Sequence, residues 1–111
     1  MNSRRDMVIA GAGPAGLSLA AALASRTLRV AVIDPQPRAD LAAPAFDGRE
    51  IALTQTSVGT LRQLGLWQRI APEEISVIRD VRVFNGPSAR PRHIDHADGG
   101  AGELGHLVSN H

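Results

Sequence analysis

The stretch MVIAGAGPAGLSLAAALASRTLRVAVIDP, residues 7–35, decides the fold of this chain. Its first apolar run, Met7–Ala10, is bounded by glycine, as expected for a strand buried on both faces of a parallel sheet. Strong helix formers dominate Ala15–Ser25, and Pro14 stands where a helix can begin, because the N–H that proline lacks would have no partner there. A second apolar run, Leu28–Ile33, predicts another strand. The stretch therefore predicts a strand–helix–strand unit of about 30 residues.

Three glycines lie in the turn between the first strand and the helix, with the spacing G-x-G-x-x-G. Gly11 permits the tight turn off the strand, and Gly13 lets the backbone approach a pyrophosphate closely. Gly16 allows the helix to press against the strand. The helix N-terminus then offers unpaired N–H groups and partial positive charge to phosphates. This pattern predicts a dinucleotide-binding turn.

A single acid, Asp34, follows the second strand, 18 residues beyond Gly16. An acid at this position accepts hydrogen bonds from the ribose hydroxyls of an adenosine and repels a 2′-phosphate, so we expect FAD or NAD rather than NADP. Glycines also cluster in ordinary turns, and the motif alone is a weak signal. The order of strand, motif, helix, strand and acid favours dinucleotide binding. These residues do not show whether the dinucleotide is FAD or NAD.

The rest of the chain is less regular. Residues 35–47 hold prolines and alanines without a period and predict a loop. A helix is expected over Ser57–Leu64, capped by Ser57 or Thr56 and ended by Gly65. One further helical turn is expected at LWQRI, where Trp67 is predicted to be a packing residue. Val77–Phe84 predicts a half-buried strand.

The composition changes after Gly86 to Gly, His, Asp and Pro, and all four histidines lie in this part: His93, His96, His106 and His111. Imidazole and carboxylate groups ligate metals, but the spacing in HIDHAD matches no established zinc pattern. We therefore predict no metal site and a solvated loop. The domain boundary is expected near Pro72–Ile75.

Composition limits the class of protein. The 111 residues carry a formal net charge of +1, with 43% hydrophobic and 21% charged residues, a profile typical of one soluble globular domain or part of one. The near-neutral charge predicts no nucleic-acid partner. The absence of cysteine excludes a disulfide framework and a thiolate nucleophile, and fits a reducing compartment. No apolar run suits a signal peptide or a spanning helix, so we predict a cytoplasmic protein.

Several stretches together resemble one family. DMVIAGAGPAGLSLAAALA and VAVIDP are similar to the N-termini of FAD-containing oxidoreductases. Three later stretches restrict the resemblance to one family within this group: DGREIALTQTSVGTLRQLGLWQRI, ISVIRDVRVF and LGHLVSN. They resemble the flavin monooxygenases of ubiquinone biosynthesis, which are aromatic-ring hydroxylases related to para-hydroxybenzoate hydroxylase. The likeness covers nearly the whole chain.

The resemblance implies an α/β fold. Residues 1–74 would form a Rossmann-like FAD-binding βαβ part, and residues 75–111 the first strands of a substrate domain. Enzymes of this family insert one oxygen atom into a phenolic ring with FAD, NAD(P)H and O₂. The resemblance leaves open a peripheral membrane association of the parent enzyme. Later family segments that contact the nicotinamide donor and the FAD ribityl phosphate do not occur here, so we expect an N-terminal fragment that is inactive alone.

The resemblance also assigns the cofactor-binding residues. Those expected along the pyrophosphate and its turn are Gly11, Ala12, Gly13, Pro14, Ala15 and Gly16. Asp34 would hold the ribose and Arg49 would approach the FAD, although Arg49 could instead be an exposed ion-pair partner of Asp47 or Glu50. No catalytic residue is expected within the chain. Two alternatives remain: a fragment of another FAD- or NAD-dependent oxidoreductase, and a non-catalytic nucleotide-binding module.

A chain with two parallel strands is also expected to be weakly stable by itself. Parallel sheets need cover on both faces and further neighbours. In a doubly wound order, the first strand would lack a partner on one side, leaving Val8–Ala10 as an exposed edge. We therefore predict poor solubility, or a loosely packed state with weak affinity for FAD.

Overall fold

The computed structural model describes residues 4–24 and 26–111, and its backbone forms two compact units. The first contains the described residues up to Phe46 together with His111, and the second runs from Asp47 to Asn110. The predicted helix end at Ser25 lies outside the described residues. The domain boundary expected between residues 74 and 75 concerns the parent enzyme and stays a prediction.

The first unit is built from two parallel strands and two helices. In chain order these are β1 (Met7–Ala10), α1 (Pro14–Ala24), β2 (Val30–Ile33) and α2 (Arg38–Ala42). β1 and β2 pair in register, with Met7 opposite Val30 and Ala10 opposite Ile33. The predicted strand–helix–strand unit and the helix start at Pro14 are thus confirmed. The short helix α2 was not expected, because its residues fall in the predicted loop.

The amino ends of β1 and β2 are joined by one carboxylate. Asp6 accepts hydrogen bonds from the backbone N–H of Arg29 at 2.8 Å and from its Nε at 3.0 Å and Nη2 at 2.9 Å. The backbone N–H of Asp6 donates in turn to the Arg29 carbonyl oxygen at 2.9 Å. The pair fixes where the two strands begin.

The second unit contains five strands, one α-helix and three 3₁₀ turns among the described residues. Its strands are β3 (Glu50–Thr54), β4 (Ile75–Ile78), β5 (Asp80–Val83), β6 (Arg92–Asp95) and β7 (Gly105–Ser109). Its helices are α3 (Gln55–Gln63) and the 3₁₀ turns Trp67–Arg69, Pro72–Glu74 and His96–Gly99. β7 lies between β3 and β4 in an antiparallel sheet, and β5 pairs with β6 as an antiparallel ribbon.

The helix expected over Ser57–Leu64 is present, but α3 starts two residues earlier. Its N-cap is Thr54, whose hydroxyl accepts a hydrogen bond from the Ser57 N–H at 3.2 Å. The predicted end at Gly65 is confirmed: Gly65 has a φ of +70°, and its N–H donates to the Arg62 carbonyl at 3.0 Å. The predicted extra helical turn at Trp67 is also present.

Two other expectations are wrong. The single strand predicted over Val77–Phe84 is two strands, β4 and β5, which separate at Arg79 and join different sheets. The solvated loop predicted at HIDHAD is instead part of β6 and of the 3₁₀ turn that follows it. In this part His93 bonds the Asp80 carboxylate at 2.7 Å. Pairing with strands distant in the chain, rather than local propensity, orders this segment.

Apolar side chains are buried separately in each unit. The first unit buries Ile9 and Ala12, and the second buries Val58 at the centre of α3, with 2% exposed, and Val108 on β7. His106 on β7 is buried as well, against the ring of Trp67 at 5.2 Å between centroids, which confirms Trp67 as a packing residue. Of the helices within residues 4–24 and 26–111, none has the length and apolar character needed to cross a bilayer.

Candidate cofactor-binding site

The glycine turn leaves β1 at its carboxyl end. Gly11 has a φ of +104°, a conformation that disfavours other residues, and its N–H donates to the Ile33 carbonyl at 2.8 Å. This bond ties the turn to the end of β2. A Cβ added to Gly16 would collide with the Gly11 carbonyl oxygen and lie 3.3 Å from Cγ2 of Ile9. Glycine at position 16 is therefore required for the close approach of α1 to the turn.

Gly13 shows the opposite environment. A Cβ built on it would meet no atom within 4 Å, so the backbone here faces open space. The first i→i−4 bond of the helix runs from the Leu17 N–H to the Gly13 carbonyl at 2.9 Å. The N–H groups of a first helical turn have no partner within the helix, and Pro14 contributes none. The turn thus combines accessible backbone with the positive end of α1.

Asp34 lies directly after β2 and faces the turn. Its Oδ2 accepts a hydrogen bond from the Ala12 N–H at 2.8 Å, and its Oδ1 accepts one from the Gln36 N–H at 2.9 Å. These two amides, Ala12 first, hold the pKa of the Asp34 carboxyl below its usual range. The group is therefore an anion at neutral pH. Each oxygen still has a lone pair that neither amide uses.

An open cleft of about 600 Å³ lies beside this carboxylate. The residues that line it are Ala12, Leu17, Val32, Ile33, Asp34, Gln36, Arg38, Leu41 and Ala42. An apolar wall with few polar groups is typical of a small-molecule site. The adenosine diphosphate part of a dinucleotide fits this arrangement: the cleft, the turn at Gly13 without a side chain, and the carboxylate of Asp34.

Arg49 lies in the second unit, just before β3. Its Nε donates to Oδ2 of Asp47 at 2.7 Å and its backbone N–H to Oδ1 at 2.9 Å. The Nδ2 of Asn110 also donates to Oδ2 of Asp47, at 3.0 Å. Chiefly the Arg49 N–H groups lower the pKa of Asp47 to about 2. The ion pair with Asp47, one of the two alternatives for Arg49, is therefore present, while its side chain stays 75% exposed.

Most of the residues that the sequence predicted to bind the cofactor lie together in the structure. The turn residues Gly11 to Gly16 and Asp34 all belong to the first unit, and Ala12 bonds Asp34 directly. Sequence reasoning missed Gln36, Arg38 and Leu41, which line the cleft. The contact from Gln36 could have been found, because an Asp that accepts from the amide two residues later is a common turn. The other two depend on α2.

Comparison with known proteins identifies a family and two relatives. Residues 4–100 match the FAD binding domain family. The chain is 44% identical over 115 residues to the ubiquinone hydroxylase UbiM of Neisseria meningitidis, covering 100% of this chain and 25% of that protein. It is 34% identical over 105 residues to the ubiquinone hydroxylase UbiL of Rhodospirillum rubrum, covering 95% of this chain and 24% of that protein. The chain thus spans about a quarter of the length of these curated relatives.

These matches decide three of the expectations drawn from the sequence. The predicted resemblance to flavin-dependent hydroxylases of ubiquinone biosynthesis is confirmed by the two relatives. FAD is confirmed as the cofactor, and the α/β class with a Rossmann-like unit is confirmed with it. The chain belongs to the FAD binding domain family.

Proposed function

We propose that this chain is the FAD-binding part of a flavin-dependent monooxygenase that hydroxylates a phenolic precursor of ubiquinone with NAD(P)H and O₂. The observation that carries the proposal is the 44% identity to a ubiquinone hydroxylase along the whole chain. The open glycine turn and the anionic Asp34 support the FAD-binding role. The hydroxylation is proposed for the whole protein, and we expect no activity from these 111 residues alone.

Different residues of the first unit bind different parts of FAD. The accessible backbone at Gly13 and Ala15, at the start of α1, receives the diphosphate. Gly11, Ala12, Pro14 and Gly16 give the turn its shape. Asp34 accepts hydrogen bonds from the ribose hydroxyls with its unused lone pairs and disfavours a ligand with a 2′-phosphate. When bound, the flavin supplies the redox chemistry of the reaction.

Arg49 has a separate role in the proposal, as a cationic contact of the FAD. Its Nε and Nη2 each lie 2.7 Å from Oδ2 of Asp47, but a guanidinium has five N–H donors, so others remain for a phosphate oxygen. The test is Arg49→Gln compared with Arg69→Gln, a second exposed arginine of the same unit. We expect weaker FAD binding for Arg49→Gln alone. Equal affinities would remove Arg49 from the site.

The binding experiment uses the purified chain titrated with FAD, followed by quenching of flavin fluorescence. We expect saturable binding that ADP and NAD compete for and NADP competes for poorly, because of the charge on Asp34. No saturable FAD binding would contradict the proposal. Tighter binding of NAD than of FAD would favour a nicotinamide-dependent oxidoreductase instead. Tight stoichiometric binding with a cooperative melt would overturn only the predicted weak affinity.

The hydroxylase activity is tested in cells, with the protein that carries this chain. Its gene is expressed in a bacterial strain lacking one ubiquinone hydroxylase, and the quinones are extracted and identified by mass. Restored hydroxylation supports the proposal, and the ring position follows from the product. An accumulated precursor, with the protein present and loaded with FAD, would contradict it. The nicotinamide donor, a membrane association and the cytoplasmic location stay predictions.

A further inference from the structure

Asp34 makes a contact that ribose recognition does not require. Its Oδ2 accepts the N–H of Ala12, which lies inside the glycine turn. Ala12 is 8% exposed, so this amide has little access to water. A buried N–H without a partner is costly, and the conformation that gives Ala12 its partner is therefore favoured. The carboxylate after β2 thus restrains the turn after β1.

A second contact fixes the carboxylate itself. Oδ1 accepts the Gln36 N–H at 2.9 Å, so both oxygens are held by backbone groups and the side chain has little rotational freedom. The turn is held from the same strand end by the bond from Gly11 to the Ile33 carbonyl. Two consecutive amides, of Gly11 and Ala12, are therefore bound by the carboxyl end of β2.

We infer that Asp34 is a positioning residue for the diphosphate as well as the ribose contact, because its bond to Ala12 sets the shape of the glycine turn. The inference rests on the proposed function, in which this turn receives the diphosphate of FAD. The ligand class is an adenosine diphosphate, and the ribose hydroxyls are not needed for this part of the effect. Loss of the carboxylate weakens a ligand that has no ribose hydroxyls at all.

The decisive probes are ADP and 2′,3′-dideoxy-ADP, which differ only in the ribose hydroxyls. Their affinities are measured on the full chain, on Asp34→Ala, which removes both acceptor oxygens, and on Asp40→Ala. The last is a matched control, since Asp40 is an exposed acid of α2 outside the cleft lining. We expect Asp34→Ala to weaken both ligands, the dideoxy ligand by about tenfold, equivalent to one lost hydrogen bond. Asp40→Ala should weaken neither.

The opposing results are distinct. If Asp34→Ala weakens ADP but binds dideoxy-ADP as the unchanged protein does, Asp34 contacts the ribose alone and the inference is wrong. If the unchanged protein binds neither FAD nor ADP, the proposed function fails, and the inference about the diphosphate fails with it. Amide exchange at Gly11 checks that the variant keeps the β1–β2 pair, because that amide bonds Ile33 rather than Asp34.

If the Asp34 variant does not fold, a measurement on the unchanged protein tests the inference instead. The amide proton shifts of Ala12, Gln36 and Gly11 are followed by NMR as the pH is lowered from neutral to below the usual carboxyl range. We expect the Ala12 and Gln36 shifts to follow protonation of Asp34, with Gly11 unaffected. Affinity for dideoxy-ADP should fall over the same range. An Ala12 shift or a dideoxy-ADP affinity that does not change with Asp34 would overturn the inference.

Discussion

The two ends of the β1–β2 pair each hold an aspartate, and the two carboxylates are satisfied in different ways. At the amino end, Asp6 accepts three hydrogen bonds from Arg29, two of them from the guanidinium. At the carboxyl end, Asp34 accepts two, both from backbone amides. Asp6 has a cation as its partner within the chain, while Asp34 has none among its hydrogen-bond partners and faces an open cleft.

This difference separates an acid that serves the fold from one that is available to a ligand. Arg29 neutralises Asp6, so the amino end is complete without another molecule. The carboxyl end combines an anion, a helix N-terminus and a bare turn, and ligands of parallel sheets bind at this end of the strands. The same residue type therefore has two roles, and its surroundings rather than its identity distinguish them.

The largest expected effect comes from the turn at the carboxyl end. Gly16→Ala places a Cβ against the Gly11 carbonyl oxygen, so the helix or the turn has to move. We expect a loss of about 1–3 kcal/mol in the free energy of unfolding, as for other overpacked sites. FAD binding should be lost with it. Thermal unfolding followed by circular dichroism measures the first effect and flavin fluorescence the second.

Two further Gly→Ala variants serve as controls for this prediction. Gly59→Ala lies in α3, where an added Cβ meets nothing within 4 Å, and should raise stability by about 0.5–1 kcal/mol. Gly13→Ala meets nothing either, and should keep its stability but bind FAD more weakly, because the methyl group occupies the approach to the backbone. Equal stabilities for Gly16→Ala and Gly13→Ala would contradict the assigned roles.

The carboxyl end of β1–β2 was predictable because its information is local. The strand, turn, helix and acid follow each other within residues 7–35, so short-range pattern and motif spacing were sufficient. The second unit was not predictable in this way. Its central strand, β7, pairs with β3 and β4, of which β3 lies some 50 residues earlier in the chain. Nothing local in LGHLVSN indicates that it occupies the centre of a sheet.

The smaller errors lie where local signals are ambiguous or absent. Thr54, rather than Thr56 or Ser57, caps α3, because all three hydroxyls suit an N-cap and the end of β3 selects among them. The break between β4 and β5 at Arg79 has no proline or glycine to mark it. In the cleft, Arg38 and Leu41 depend on a five-residue helix, α2, that propensity does not predict. Tertiary context decided each of these.

An intermediate effect is expected from removing each aspartate in turn. Asp34→Ala should weaken FAD binding by about ten- to a hundredfold, equivalent to the loss of hydrogen bonds to a charged group. Asp6→Asn should leave FAD affinity unchanged and lower the melting temperature, by less than Gly16→Ala does, because the lost ion pair is exposed to solvent. Titration and thermal unfolding of both variants measure these effects. Weaker FAD binding in Asp6→Asn would show that the two ends do not act separately.

The smallest effect is expected from acid. Arg29 lowers the pKa of Asp6 from 3.8 to about 2, and the Ala12 and Gln36 amides lower the pKa of Asp34. A carboxyl whose pKa is lower in the folded state stabilises the fold above its unfolded pKa, and this contribution is lost as the pH falls through the folded value. Both acids therefore stabilise the protein at neutral pH, and the contribution of Asp6 declines from about pH 4 towards pH 2.

Stability and FAD binding should respond differently to that change in pH. Melting temperatures should fall less on acidification in Asp6→Asn and in Asp34→Asn than in the unchanged protein, since each variant lacks one of the titrating groups. FAD affinity should fall with acid in the unchanged protein and equally in Asp6→Asn, because only Asp34 faces the ligand. It should vary least in Asp34→Asn. If FAD affinity no longer depended on pH in Asp6→Asn, the amino end of the β1–β2 pair, rather than its carboxyl end, would be coupled to the ligand.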